Sequence, residues 1–361
     1  MKVLYISNFK DGTGWSNAAL NNMLAMDIAG IDVVPRTITY NGKDCNVPKR
    51  FLELEKKSTS GSDVCIQHVL PNSYNYSYNL KNIGYLACET SSFRETMWHK
   101  YANMMDEVWV PTNSCKSSCL NTGITKPIKI VPHSINVEEI ENLNGKKVEE
   151  LQSTFNFAFV GEFIERKNLK ALIKAFHIEF HPCEPVNLYI KTSGVDISIV
   201  NQYCESIKKG LKLRKKYKEE IIISGFLERE DYISVLKQCH CFVMPSRGEG
   251  FCIPALESMA CGLSVLYTDQ TGMNDFCYGL AIKSKREKCF GGVESLPNIY
   301  TSNDYWMEID LDDLCFAMRS EFMKWKDEQV MKQRKIQAIE KAREFSHKNM
   351  GENIKEILND G

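Results

Sequence analysis

One stretch of the sequence, residues 241–267, constrains the fold of this chain more than any other. It opens with the apolar run Cys241-Phe-Val-Met, which Pro245 closes, and continues as a polar loop that contains glycine. A helix is predicted from about Pro254 to Gly262, since Pro is favoured in the first turn of a helix and Gly just beyond its end. Residues 263–267 form a second apolar run. Strand, loop, helix and strand in this order predict a unit of a parallel sheet, because parallel neighbours need a crossover connection.

The start of that helix has no side chain that could cap it. Ile253, which precedes Pro254, has no oxygen to accept hydrogen bonds from the N–H groups of the first turn. An anion, most naturally a phosphate, is the acceptor that such dipole-aligned amides favour. The alternative is a helix start that bonds water. The loop residues predicted to offer their backbone amides are Gly250, Phe251 and Cys252.

Two carboxylates flank this predicted anion site. Glu249 lies in the loop and Glu257 lies about one turn into the helix, with seven residues between them. Carboxylates do not bind phosphate, but they accept hydrogen bonds from hydroxyl groups. The spacing therefore favours a ligand that carries sugar as well as phosphate, although two solvated glutamates would have the same sequence.

Length and composition restrict the class of protein. With 361 residues, of which 43% are hydrophobic, the chain is long enough for two ordinary domains. A formal net charge of −1 does not favour a nucleic-acid partner. The fourteen cysteines are scattered without a CxxC pair, there is no signal-peptide pattern, and no apolar run is long enough to span a bilayer. We therefore predict a cytoplasmic protein, at most peripheral to a membrane.

Several further patterns have two interpretations each. His177, His181 and Cys183, and residues 239–241, have a ligand-like spacing, but neither group has a second cluster, so we predict structural roles and no metal. The basic run 208–218 could bind a membrane surface or an anionic acceptor, or could be the solvated face of a helix.

The N-terminal residues predict another strand–loop–helix–strand unit. A strand over 3–7 leads into a loop with Gly12 and Gly14, and a helix follows with Ser16 as its N-cap. The glycines would allow close approach to a ligand, but a generic tight turn would look the same. Apolar runs along the rest of the chain predict further strands, and residues 283–305 are interpreted as a polar insertion.

The stretch 245–262 resembles the donor-site motif of the retaining glycosyltransferases of family 4, the glycogen-synthase-like enzymes of GT-B fold. The segments 106–112 and 131–136 resemble loops of that family's N-terminal domain, where Glu89 takes the place of an acidic residue. The motif positions that match are Pro245, Ser246, Glu249, Gly250, Phe251, Pro254, Glu257, Met259, Ala260 and Gly262.

The resemblance implies an α/β protein of GT-B fold, in which two Rossmann-like, doubly wound parallel-sheet domains face a central cleft. We expect an acceptor-side domain over 1–140, a linker over 141–155 and a nucleotide-sugar-binding domain over 156–335. A terminal helix over 336–361 would cross back to the first domain.

The resemblance also implies roles for individual residues. Arg166 and Lys167 match the basic pair that binds the donor diphosphate, although Glu162 stands where the family often has another Arg. Glu249 would hold hydroxyls of the transferred sugar and Glu257 those of the ribose. His68 matches the histidine of the family's cleft, and a strand-end histidine without a role is its alternative. Two exposed basic residues at a helix start are the alternative for the pair.

The function expected from these residues is retaining transfer of a hexosyl unit from UDP- or GDP-hexose to an acceptor hydroxyl, in glycan or polysaccharide synthesis. The acceptor would be a glycan, a lipid-linked molecule or a small molecule, and no metal or other cofactor is expected. A nucleotide-sugar epimerase, a phosphorylase of GT-B fold and a non-catalytic scaffold remain alternatives. The sequence leaves open which nucleotide base, which sugar and which acceptor are used, and which oligomeric state the protein has.

Overall fold

The computed structural model describes residues 1–42, 44–143, 153–291 and 298–360. The chain divides into two compact units, each with its own sheet. The first unit consists of Met1–Asn136, Gly292–Asp304 and Glu344–Gly361, and the second of Val137–Gly291 and Tyr305–Arg343. None of the described helices is long and apolar enough to cross a membrane.

The first unit contains a six-stranded parallel sheet. The unit's elements up to the last strand of this sheet are β1 (Lys2–Ser7), α1 (Gly14–Ile28), β2 (Asp32–Thr37), α2 (Lys49–Leu54), β3 (Val64–His68), β4 (Lys81–Tyr85), α3 (Trp98–Ala102), β5 (Glu107–Val110), α4 (Asn113–Thr122) and β6 (Ile128–Ile130). The strand order is β2-β1-β3-β4-β5-β6. This order reverses between β1 and β3, where Ser7 pairs with His68 at the carboxyl ends of the two strands.

The second unit contains another six-stranded parallel sheet. Its elements up to this sheet's last strand are α5 (Val137–Asn142), β7 (Phe155–Val160), α6 (Leu169–Glu179), β8 (Val186–Thr192), α7 (Ile197–Leu211), β9 (Ile221–Ser224), α8 (Arg229–Lys237), β10 (Cys241–Met244), α9 (Ile253–Ala260), β11 (Ser264–Thr268) and β12 (Gly279–Ile282). The strand order is β12-β11-β10-β7-β8-β9, so the order reverses between β7 and β10. In open parallel sheets, ligands bind beyond the carboxyl ends of the strands at such a switch point.

A small antiparallel sheet and the last helices complete the chain. They are β13 (Ser284–Lys288), β14 (Tyr305–Ile309), α10 (Leu311–Lys324), α11 (Glu328–Arg343) and, in the first unit, α12 (His347–Asn359). The packing of α12 against α1 is close, because a Cβ on Gly351 would lie 2.2 Å from the carbonyl oxygen of Ala25. Ile354 and Leu358 of α12 belong to the buried core of the first unit.

The two predicted doubly wound parallel sheets are confirmed, and two local predictions are wrong. Residues 283–305 are not only a polar insertion. They include β13 and the first residue of β14, which pair with each other, and Trp306 of β14 is 2% exposed. Ser16 does not cap α1 as its N-cap residue. Thr13 does, and Ser16 bonds back to it as the third residue of a capping box, which satisfies two backbone donors at once.

The predicted domain boundaries stay predictions. The first predicted domain, 1–140, and the first unit share residues 1–136, and α5 begins at Val137. Of the predicted linker, 141–155, residues 144–152 lie outside the described part of the chain. The predicted terminal helix, 336–361, corresponds to the end of α11 and to α12, with a turn between them.

Candidate anion-binding site in the second unit

Two loops meet at the switch point of the second sheet, one after β7 and one after β10. The first loop contains a single 3-10 turn, Glu165–Lys167, and the second contains Ser246. The backbone N–H of Arg247 donates to the carbonyl of Arg166 at 2.8 Å, and the Ser246 hydroxyl donates to the same oxygen at 3.1 Å. These bonds fix the basic pair of the first loop beside the glutamate of the second.

Arg166, Lys167 and Glu249 form one charged cluster. Lys167 Nζ lies 2.7 Å and Arg166 Nη1 lies 3.2 Å from Glu249 Oε1. Arg166 Nη1 also donates to the carbonyl of Gly248 at 2.5 Å. The Arg166 and Lys167 side chains are only 10% and 12% exposed, so the alternative of two exposed basic residues is wrong. Two cations around one carboxylate leave a net charge of +1, which favours a further anion.

The cluster keeps Glu249 ionised. Burial by itself would raise the pKa of this carboxyl, but the charges of Lys167 and Arg166 outweigh burial and hold the pKa at about 2. The neighbouring thiol behaves in the opposite way, because burial and the charge of Glu249 raise the pKa of Cys252 to about 12. Cys252 is therefore a neutral thiol and not a nucleophile.

The start of α9 directly follows the loop that carries Glu249. Cys252 precedes the helix with φ +86°, a left-handed conformation that costs a non-glycine residue about 1 kcal/mol or more. As predicted, no side chain caps this helix. Phe251 stacks on Phe276 with ring centroids 4.3 Å apart, so the loop before the helix is held by packing. The glycine-containing stretch 250–252 therefore lies directly beside the charged cluster.

A third loop, which follows β11, contacts the loop after β10. The backbone N–H of Gly272 donates to the carbonyl of Glu249 at 2.9 Å. A Cβ on Gly272 would lie 2.5 Å from the carbonyl oxygen of Gly250, so only glycine permits this approach. The loop that carries Gly272 begins with a capping box formed by Thr271 and Asn274.

Glu257 has two partners that the sequence analysis missed. Tyr232 donates to Glu257 Oε2 at 2.8 Å, and Arg229 Nη1 is bonded to Oε1. Arg229 and Tyr232 are three residues apart on α8 and so share one face of that helix, a spacing that could have suggested a common partner. Burial and the charge of Glu257 raise the pKa of Tyr232 well above its usual value, so the phenol keeps its proton and donates it.

Arg247 is the other functional candidate that the sequence analysis missed. Its Nη1 donates to the carbonyl and the carboxylate of Glu165, and its Nε to Glu308 of β14. The guanidinium lies 4.8 Å from the ring centroid of Phe290 and 5.5 Å from that of Trp306. Arg247 thus joins the turn that carries Arg166 and Lys167 to β14. No local pattern indicates these partners, because they lie about 60 to 80 residues away.

His68 lies in the first unit, at the carboxyl end of β3. Its ring is buried, lies within 2.9 Å of the Tyr5 hydroxyl through Nδ1, and stacks on Tyr85 with centroids 4.3 Å apart. Burial, together with the neighbouring His133, holds the pKa of His68 well below its usual value, so the imidazole is neutral. The Trp15 ring, at the start of α1, lies 5.5 Å from it.

The predicted glycines lie near this histidine in the chain's first loop. Gly14 is the first residue of α1, and Gly12 has φ +69°. A Cβ on Gly12 would lie 2.8 Å from Sγ of the exposed Cys45, so it is mainly the positive φ that favours glycine at this position. The roles predicted for Gly12, Gly14 and His68 in ligand binding stay predictions.

The alternative metal groupings have other partners. His177 Nε2 lies 2.6 Å from Glu220 Oε1, and Lys208 Nζ lies 3.1 Å from Oε2 of the same carboxylate. His240 Nδ1 accepts a hydrogen bond from the backbone of Asn156. Within the described ranges, no group of three or more His, Cys, Asp or Glu side chains could hold a metal ion. All fourteen cysteines are free thiols.

The basic run 208–218 is mostly not the face of a helix. α7 ends at Leu211, and two of the lysines beyond it bond carbonyls at the end of α6 or in the loop after it. Lys215 Nζ donates to the carbonyl of Phe180 at 2.7 Å, and Lys218 Nζ to that of Glu184 at 3.2 Å. Lys215 thus satisfies a carbonyl that the end of α6 leaves unbonded.

The second unit is similar in sequence to known glycosyltransferases. Residues 143–277 match the family model described as Glycosyl transferases group 1. The serotype-specific mannosyltransferase WbdA of Escherichia coli is 32% identical over 114 residues, which are 30% of this chain and 13% of that protein. The uncharacterized glycosyltransferase YqgM of Bacillus subtilis (strain 168) is 28% identical over 157 residues, or 44% of this chain and 40% of that one. The chain thus spans less than half the length of these curated relatives.

Solved structures extend the similarity to the whole chain. Anabaena HepE, in complex with UDP and glucose, superimposes with a TM-score of 0.66 and 12% identity over 100% of both chains. The sucrose-phosphate synthase of Thermosynechococcus elongatus gives a TM-score of 0.65 and 13% identity over 100% of this chain and 99% of that one. The chain has the GT-B fold. At these identities the likeness shows the fold alone.

Proposed function

We propose that this chain is a retaining glycosyltransferase of family 4, which moves a hexosyl unit from a nucleotide diphosphate sugar to an acceptor hydroxyl. The observation that carries this proposal is the cluster of Arg166 and Lys167 at the switch point of the second sheet, beside the uncapped start of α9. Glu249 and Glu257, both buried, would accept hydrogen bonds from hydroxyl groups of the sugar and the ribose.

The proposed chemistry follows from the charges. When the bond between the sugar and the diphosphate breaks, negative charge develops on the leaving phosphate. Arg166, Lys167 and the amides of 250–252 would stabilise this charge without a metal ion. Glu249 would orient the sugar hydroxyls, since its low pKa keeps it an acceptor. No side chain is assigned as a nucleophile. The acceptor would attack from the leaving-group face, and the departing phosphate would take its proton.

Two donor classes remain within the proposal. HepE is seen with UDP and glucose, and WbdA is a mannosyltransferase. We propose UDP- or GDP-hexose as donor and a glycan, a lipid-linked molecule or a small molecule as acceptor, in cytoplasmic glycan or polysaccharide synthesis. Glu257, held by Arg229 and Tyr232, would receive the ribose hydroxyls of either nucleotide.

Thermal unfolding with nucleotides tests the proposal. UDP, GDP and ADP are added to the wild-type protein, to Lys167→Ala and to Lys209→Ala, whose lysine is exposed on α7. A ligand at a hundredfold excess over its dissociation constant stabilises the native state by about 2.7 kcal/mol, which raises the midpoint by a few degrees. We expect a shift with one nucleotide, lost only in Lys167→Ala. Equal shifts in both variants would refute the diphosphate assignment, and no shift with any nucleotide would favour a scaffold.

The sugar derivative of the bound nucleotide then distinguishes reaction classes. Transfer to an added acceptor, with the anomeric configuration retained, is expected. Isomerisation of the donor without acceptor would identify an epimerase, and dependence on inorganic phosphate would identify a phosphorylase.

A further inference from the structure

A surface cavity of about 330 Å³ lies in the second unit between α6 and the β13–β14 sheet. It is separate from the anion site, because none of its lining residues is Lys167, Glu249 or a residue of 250–252. Lys170 and Lys174 reach it from α6, one helical turn apart, and Lys285 reaches it from β13. Within the described residues, the side-chain amines of these three lysines make no hydrogen bond or ion pair.

A buried arginine also faces this cavity. The side chain of Arg247 is 6% exposed and lines the cavity, and its Nε and Nη1 atoms are bonded to Glu308 and Glu165. Its Nη2 makes no hydrogen bond to the described residues and is not among their buried unsatisfied atoms. Arg247 therefore has a donor left for a ligand.

The charges of the cavity do not balance. Arg247 and Glu308 neutralise each other, which leaves three lysines against the carboxylate of Glu287 and a net charge of +2. Phe290 forms one wall, with 42% of its surface exposed. A carboxylate can accept hydrogen bonds from hydroxyl groups, and the face of an aromatic ring can pack against the C–H face of a sugar ring.

We propose that this cavity binds a phosphomonoester carried by a polyhydroxylated molecule, such as a hexose phosphate, separately from the donor diphosphate. The dianionic phosphate matches the net charge of +2 in the cavity, and the remaining donor of Arg247 bonds one of its oxygens. Glu287 accepts hydroxyls of the sugar. The volume accommodates a molecule of this size.

The position of the site couples it to the donor site. Asn168 lines the cavity and directly follows Lys167, and its side-chain amide donates to Glu308 at 3.2 Å. Arg247 bonds the turn Glu165–Lys167. A ligand that holds Arg247 therefore acts on the turn that presents Arg166 and Lys167. This consequence rests on the proposed function, and by linkage the nucleotide would change the affinity for the phosphate ligand by the same factor.

Isothermal titration calorimetry on the full chain tests the site. Glucose 6-phosphate, glucose and inorganic phosphate are titrated into protein saturated with the nucleoside diphosphate that it binds, so that the donor site is occupied, or into free protein if it binds none. The variant Lys174→Gln/Lys285→Gln is compared with Lys209→Gln/Lys332→Gln, which removes two exposed lysines of the same unit.

We expect glucose 6-phosphate to bind more tightly than phosphate and glucose, and its affinity to fall at least tenfold in the first variant only. Absence of glucose 6-phosphate binding to the wild type, or equal affinities in both variants, would overturn the proposal. We also expect Lys174→Gln/Lys285→Gln to bind the nucleotide as tightly as the wild type, which would show that the cavity is distinct from the donor site. Glucose 6-phosphate binding by a protein that binds no nucleotide would support this site and refute the proposed donor.

Discussion

Lys167 and Glu249 form an ion pair of 2.7 Å, although 82 residues separate them in the chain. The pair joins the loops after β7 and β10, the two strands at which the order of the second sheet reverses. A diphosphate bound there would share the lysine with the glutamate rather than meet an isolated cation. The carboxylate thus orients the lysine before any ligand arrives, which is the arrangement expected of a preorganised site.

Acid should destabilise the protein through Glu249. Its folded-state pKa of about 2 lies below the ordinary value, so its contribution is present above about pH 4.5 and is lost as the pH falls through 2. Denaturant unfolding between pH 7 and pH 3 should show the wild type losing about 2 kcal/mol more than Glu249→Gln. Glu219→Gln, which removes an exposed glutamate, should behave like the wild type. Equal losses in Glu249→Gln and the wild type would contradict the low pKa.

The assignment of Glu257 to the ribose can be tested with a nucleotide that lacks the hydroxyls. The wild type should bind the nucleoside diphosphate about 10- to 100-fold more tightly than its 2′,3′-dideoxy form, because hydrogen bonds to a charged group contribute about 1.5–3 kcal/mol. In Glu257→Gln this preference should nearly vanish. Glu230→Gln, on the exposed side of α8, is the matched control. Calorimetry measures both affinities. If Glu257→Gln kept the full preference for the ribose form, Glu257 would not be the residue that binds the ribose hydroxyls.

Gly272→Ala should weaken the anion site through the backbone. The added Cβ meets the carbonyl oxygens of Gly250 and Glu249 at 2.5 and 2.7 Å, so one of the two loops must move. Overpacking of this kind costs about 1–3 kcal/mol, and we expect a lower melting temperature together with weaker nucleotide binding. Gly210→Ala is the control, since no atom lies within 4 Å of its added Cβ in α7. That change should stabilise the helix by up to about 1 kcal/mol. If Gly272→Ala bound the nucleotide as tightly as the wild type, the loop that carries Gly272 would not influence the site.

Buried histidines should make the first unit sensitive to mild acid. Burial lowers the pKa of His133 to about 3, so its stabilising contribution is complete above the ordinary value of about 6.5 and is lost as the pH falls towards 3. At pH 5 one such histidine costs about 2 kcal/mol. Unfolding at pH 7.5, 6 and 5 should therefore show a smaller dependence on pH in His133→Gln than in the wild type. His181→Gln, at an exposed site, should keep the full dependence, and a His133→Gln slope equal to that of the wild type would refute the argument.

Much of the fold follows from local patterns in the sequence. Strands such as β10 and β11 are apolar runs closed by Pro or preceded by Gly, and both faces of a parallel sheet are covered, so the runs need no alternation. The sheet β13–β14 was missed because β13 reads Ser-Lys-Arg-Glu-Lys, with no apolar residue. Its partner strand carries the aromatic residues Tyr305 and Trp306, and the charges of Arg286 and Lys288 lie over the ring of Tyr305.

The candidate site also has a part that local sequence patterns predict and a part that they do not. The spacing of Glu249 and Glu257 around Pro254 indicated which segment matters, because the uncapped helix start is a local property. The partners of these glutamates are not local. That Lys167 pairs with Glu249, and Arg229 with Glu257, depends on the order of the strands, and Arg247 depends on β14, whose existence was not predicted.

The first unit draws its core from both ends of the chain. Val3 and Tyr5 of β1 share one buried cluster with Ile354 and Leu358 of α12. During synthesis, the N-terminal sheet therefore emerges from the ribosome long before the helix that covers α1 exists. The apolar surface of α1 must stay uncovered, or be held by a chaperone, until residue 358 has left the exit tunnel. The first unit can therefore complete its core only after the whole of the second unit, which lies between β1 and α12 in the chain, has been synthesised.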